Sequence, residues 1–210
     1  MNSADELLRE AAEWRLISLL FDCPKGVWFT QIDELSRQVS DQKLRKAVKA
    51  ARREASEGLF HSIFGPGGPA PGREVSYRSW VEPGQLLSEL SAFYDAFSYR
   101  SGSGEVPDHV AVETGFIGYL RLKELYACEC DDAESAAITA DAASRFMAEH
   151  LAKYAQKLNK LLGASGIEYL EVAGAALFER VGPDKDEELK TFPPVLEETE
   201  DSLFECGVTC

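Results

Sequence analysis

Residues 83–97 read PGQLLSELSAFYDAF. Leu86, Leu87, Leu90, Phe93, Tyr94 and Phe97 recur at i, i+1, i+4, i+7, i+8 and i+11, which is one broad apolar face on an α-helix. Pro83 suits the first helical turn, where a missing N–H costs nothing. Upstream, residues 65–72 read GPGGPAPG, a run that breaks both helix and strand and continues as loop to about Val81. Before it stands a short apolar segment, Leu59, Phe60, Ile63 and Phe64.

Three helices are expected ahead of that segment. Ser3 caps the first, which carries Leu7, Leu8, Ala11, Trp14, Ile17 and Phe21 and ends at Pro24 and Gly26. Thr30 caps a second with Ile32, Leu35 and Val39, and Ser40 caps a third that runs to about Gly58. Downstream of residue 97, Ser98 to Pro107 is a second loop, with Asp108 as the N-cap of a helix to about Cys130 that buries Val112, Phe116, Tyr119 and Tyr126. Asp131 or Asp132 caps a long helix to about Leu162, with Ile138, Phe146, Leu151, Tyr154 and Leu158 inward. A last helix covers roughly 167–181.

No β-alternating run and no solenoid repeat is visible. The expected fold is all-α: an irregular helical bundle over residues 1–183, with a hinge loop near 98–107 between N- and C-terminal halves. Residues 184–210 are acidic, with Pro193-Pro194 in the middle, and read as a tail.

Composition narrows the function classes. The net charge is −14, which opposes DNA, RNA and anionic membrane as partners and favours basic peptides. The local exception is Lys43, Arg45, Lys46, Lys49, Arg52 and Arg53, either a solvated helix face or a patch for an acidic or phosphorylated partner. No apolar run approaches the roughly 20 residues that span a bilayer, and no secretory leader is evident, so stable membrane insertion is not expected and the expected location is the cytosol.

Catalytic patterns are missing. The histidines are His61, His109 and His150, with no Ser/His/Asp pattern, zinc-protease motif or nucleophile elbow around them. The glycines of 65–72 lack the Gly-Lys-Ser/Thr and the preceding strand of a phosphate-binding loop. No enzyme activity and no cofactor are expected. Cys128, Cys130, Cys206 and Cys210 are either reduced free thiols or four ligands for zinc or an iron–sulfur cluster. The segment Glu105-Val106-Pro107-Asp108-His109 is either a capped helix start with a surface histidine or a polar corner of a binding surface.

Three stretches in order carry a family likeness. Residues 59–67, LFHSIFGPG, lead through the Pro-rich loop to Ser76-Tyr77; residues 105–109 read EVPDH and are followed by Glu113, Phe116 and Leu120; residues 146–151 read FMAEHL. Together they resemble the TorD/DmsD/NarJ family of redox-enzyme maturation chaperones. The chain departs from the pattern at Arg73-Glu74, where some members carry an aromatic, at the direct adjacency of Ser76 and Tyr77, and at Gly115 and Gly118.

The resemblance implies an all-α fold and a chaperone that is not an enzyme. Its partner would be a molybdopterin oxidoreductase subunit or that subunit's twin-arginine signal peptide, and monomer and homodimer are both compatible. It also implies that Asp108 and His109 lie at the peptide-binding surface, with Tyr77, Trp80, Glu105 and Pro107 near them. The alternative function is handling of a metal or iron–sulfur cluster by the four cysteines.

Overall fold

A computed structural model describes residues 3–184. Among them are nine α-helices: α1 (Ser3–Leu20), α2 (Trp28–Gln38), α3 (Gln42–Glu54), α4 (Glu57–Phe64), α5 (Pro83–Ala96), α6 (Val110–Glu129), α7 (Ala133–Glu149), α8 (Ala155–Gly163) and α9 (Glu168–Val181). Short 3₁₀ turns occupy Glu74–Tyr77 and Leu151–Lys153. The molecule is an all-α bundle. None of its described helices is long and apolar enough to cross a membrane.

Helix α6 is the centre, packed along α1 on one side and α7 on the other, while α9 lies between α3 and α8. The two glycines of α6 explain the closeness of α1. A Cβ on Gly118 would stand 3.2 Å from the backbone nitrogen of Arg15, and one on Gly115 would meet Ser18 Oγ at 3.0 Å. Their small size lets the two helix backbones approach. Ser18 on α1 uses this proximity to donate a 2.7 Å hydrogen bond to the Ala111 carbonyl.

Helix α5 docks as its periodicity predicts. Leu86, Leu90 and Tyr94 are buried, and Phe93 meets Phe146 edge-on with centroids 5.2 Å apart. Tyr94, Tyr99, Phe116 and Phe146 form one aromatic layer at the centre. In the loop that follows α5, Tyr99 donates to the Val112 carbonyl and Ser103 to Asp22.

Several boundaries shift from the sequence expectation. The second helix starts at Trp28, two residues before Thr30, because the buried Trp28 indole donates to the Leu19 carbonyl and anchors the turn. Asp41, not Ser40, caps α3, accepting from Lys43 and Leu44. That helix ends at Glu54, and Ser56 starts a separate α4 over the short apolar segment. Asp132 caps α7 as expected, accepting from the Ser135 N–H. The expected helix to Leu162 breaks at His150, where the 3₁₀ turn intervenes. Leu8, Tyr126 and Ile138 are exposed rather than inward. Each lies on a correct helix, but at the margin of its apolar face.

The basic run lies on the outer side of α3. Lys43 pairs with Glu179, Lys46 and Arg53 with Glu168, and Arg52 with Asp33, so these cations clip α3 to α9 and α2. Solvent-exposed pairs of this kind contribute about 0–1 kcal/mol each.

Candidate polar cluster at the start of α6

The Pro/Gly loop and the start of α6 are joined at one point. Arg73 and His109 form an isolated antiparallel bridge. The Val110 N–H donates to the Gly72 carbonyl and the Glu74 N–H to the Asp108 carbonyl, both at 2.8 Å. Gly72 permits the contact: a Cβ there would stand 2.2 Å from His109 Nε2. The imidazole cannot retreat, because Phe60 and Phe64 flank it at centroid distances of 5.9 and 5.8 Å. Gly72→Ala is therefore expected to destabilise the fold by about 1–3 kcal/mol, the usual cost of overpacking. A lowered urea midpoint at unchanged slope checks it.

His109 caps α6, not Asp108. The Ala111 N–H donates to His109 Nδ1 at 3.2 Å. His109 is also buried, not a surface residue. With Nδ1 accepting, the proton sits on Nε2, which faces Gly72 and has no hydrogen-bond partner in the structure. Burial, reinforced by the Arg73 guanidinium, lowers the His109 pKa to about 4. The imidazole is thus neutral near pH 7.

The sign of the pH effect follows. As pH falls from about 6.5 towards 4, the unfolded chain takes up a proton at this position before the folded one does, so stability is lost across that window. The loss at pH 5 should be about 2 kcal/mol. His109→Asn keeps an N-cap acceptor but removes the titration. Urea unfolding of the two proteins at about pH 7.5 and pH 5 should show the smaller acid-side loss in the variant.

Asp108 is fully buried, and its carboxylate is taken by Arg73, whose Nε lies 2.9 and 3.1 Å from the two oxygens. The next residue, Glu74, is also fully buried. One Glu74 oxygen accepts from Arg78 at 2.7 Å, and the other lies 3.0 Å from His150 Nδ1. Arg78 further reaches the Glu149 carbonyl, one released where α7 ends. Glu113 projects from the first turn of α6 into the same interior and accepts from the Tyr154 hydroxyl at 2.9 Å. Burial and the nearby Glu74 push its pKa well above the ordinary carboxylate range, favouring the neutral acid. The Tyr77 ring stacks on Tyr154 at 5.5 Å, and its hydroxyl donates to the Pro71 carbonyl.

Three segments far apart in sequence thus meet in one polar and aromatic cluster: 60–78, 108–113 and 149–154. Two openings border it. A cleft of about 240 Å³ is edged by Tyr94, Tyr99, Glu105 and Pro107. A depression of about 680 Å³ is edged by Arg78, Met147, His150 and Lys153.

The sequence-selected residues fall in four places. Asp108 and His109 are buried at the core of the cluster, Tyr77 is half-buried in it, and Glu105 and Pro107 edge the smaller cleft. Trp80 stands wholly in solvent with φ +72°, a left-handed conformation that costs a bulky side chain about 1–2 kcal/mol. Arg73, Glu74, Glu113 and Tyr154 were not selected. Glu113 carried a readable signal, a carboxylate on the apolar face of a helix beside Val112 and Phe116. Glu74 and Arg73 carried only their departure from the family pattern.

Cys128 and Cys130 are exposed free thiols at the end of α6. The helix runs to Glu129, so side chains two positions apart point about 200° from each other. No group of three or more potential metal ligands occurs among the described residues. Cys206 and Cys210 lie outside them.

Among curated proteins, none matches the sequence. A family model described as "Nitrate reductase delta subunit" matches residues 32–160, more than half of the chain. That interval holds every segment of the cluster and all three motifs. The chain that builds this cluster from them belongs to the nitrate reductase delta subunit family, a family of molybdoenzyme maturation chaperones.

Proposed function

We propose that the protein is a cytosolic chaperone for the molybdopterin-containing catalytic subunit of an oxidoreductase. It binds that subunit in part through a twin-arginine signal and holds it, as monomer or homodimer, until the cofactor is inserted. The observation that carries the reading is the convergence of the three motifs on one cluster. A purely structural set would not require a bulky exposed tryptophan two residues along the chain from Arg78 in a strained backbone.

The chemistry suits such a client. A twin-arginine signal is basic and then apolar. The chain supplies net negative charge, a carboxylate at Asp108, and aromatic surface at Trp80 and Tyr77. Arginine stacks readily on indole, a contact of about 0.5–1 kcal/mol at exposed sites. The proposed binding surface is Tyr77, Trp80, Glu105, Pro107, Asp108 and His109. Of the two buried members, His109 holds the surface in shape from below, while the Asp108 carboxylate lies directly beneath the half-exposed Arg73.

The direct test is purification of the protein from its own host and identification of what accompanies it. An unprocessed molybdopterin subunit is expected; recovery of none would overturn the proposal. Trp80 gives a sharper check, because its two roles have opposite signs. Trp80→Gly should leave stability equal or raise it by up to about 1 kcal/mol, since glycine accepts this φ freely. It should weaken client binding severalfold. Parallel thermal melts and binding isotherms measure both.

A further inference from the structure

The buried Asp108 carboxylate is not empty. Arg73 sits on it, and the manner of its seating is informative. Both contacts come from Nε alone, at 2.9 and 3.1 Å. The two terminal Nη nitrogens make no hydrogen bond among the described residues, and the Arg73 side chain is 42% exposed while that of Asp108 is 0% exposed. One nitrogen shared between two oxygens is a weaker arrangement than two parallel N–H···O bonds from the fork of a guanidinium. Arg73 therefore covers the carboxylate without using the geometry that arginine does best.

We propose that Arg73 is an exchangeable internal occupant of the Asp108 site: an incoming client arginine displaces it by offering the bidentate fork, and Arg73 thereby sets the threshold of affinity for arginine-bearing segments. The inference rests on the reading of Asp108 as a client contact and adds a competitor to it. Arg73 has a second task while the site is free of client. A fully buried carboxylate left without a partner is strongly destabilising. The internal arginine keeps it paired, then swings into solvent along its exposed side.

The backbone makes the exchange local. Gly72 and Glu74, on either side of Arg73, are pinned to α6 by main-chain hydrogen bonds to Val110 and Asp108. Departure of the side chain leaves the bridge in place. The displaced cation stays near the incoming one and repels it. A segment with a single arginine is therefore disfavoured, and one with further contacts on Trp80 or the neighbouring cleft succeeds.

The test uses the full chain and a fluorescent synthetic peptide with two adjacent arginines followed by an apolar stretch. The control peptide has both arginines replaced by glutamine. Arg73→Gln should bind the arginine peptide at least about fivefold more tightly than wild type, and melt at a lower temperature, because a buried pair has lost one partner. A structural role alone predicts the lower melting temperature but equal or weaker binding, and that outcome overturns the inference while leaving the client reading intact. Arg73→Lys keeps the charge and the fold, so it serves if the glutamine variant does not fold. A compact ammonium at that site should give affinity between the two, and affinity equal to or below wild type overturns the inference. Binding of neither peptide to any variant would remove the twin-arginine reading itself, a result recognisably different from the other two.

Discussion

Replacing Glu74 with alanine should lower stability by about 3–5 kcal/mol, the penalty for breaking a buried charge pair by removing one partner. For a domain of this size that is a fall in melting temperature of roughly 10 °C or more. Glu74 is fully buried and holds Arg78 on one oxygen and His150 on the other. Without it, the Arg78 guanidinium keeps only the Glu149 carbonyl, and the break between α7 and α8 loses its tie to the loop. Circular dichroism melts of wild type, Glu74→Gln and Glu74→Ala check the claim. Glutamine keeps the volume and an acceptor for Arg78, so it should fall between the other two.

Asp108→Asn should weaken client binding by tenfold or more, since a hydrogen bond to a charged group contributes about 1.5–3 kcal/mol. The effect on folding should be smaller than that of Glu74→Ala. Arg73 is close enough to solvent to hydrate when its partner loses charge, whereas the His150 partner of Glu74 is buried. Asparagine also keeps the main-chain bridge to Glu74. Isothermal titration with the purified client segment, beside a urea denaturation curve, separates the two quantities. Equal binding by the variant would sink the assignment of Asp108 to the client surface.

The sequence made much of the scaffold readable, for reasons visible in particular residues. The face from Leu86 to Phe97 announced α5, because a twelve-residue span of correctly spaced apolar side chains has few other uses. The Pro/Gly density of 65–72 announced a loop. The break at His150 had no such mark: residues 146–155 contain neither glycine nor proline. It is held by tertiary contacts, with Arg78 taking the Glu149 carbonyl and Glu74 taking the His150 ring. Local propensity cannot encode partners more than seventy residues away.

The error at the start of α6 has a similar origin. By propensity Asp108 is a better N-cap than His109. Its carboxylate is committed to Arg73, however, and the cap passes one residue on to the imidazole. The motif was legible as a functional corner, but the division of labour inside it was not. That division depends on Arg73, which the sequence presents only as an unusual charge in a loop.

The distances along the chain between the cluster's partners also matter for timing. Glu74 and His150 are 76 residues apart, and Glu113 and Tyr154 are 41 apart. Contacts of such separation reward the chain only after long loops have closed, so they form slowly compared with helices. The helices α1, α3 and α5 can exist before the cluster does, but Glu74 and Tyr77 acquire their final setting only once His150 and Tyr154 have arrived and packed. Competence to hold a client is therefore acquired late and all at once. A half-made copy of the chaperone would carry every motif of the first two segments and still lack a functioning grip.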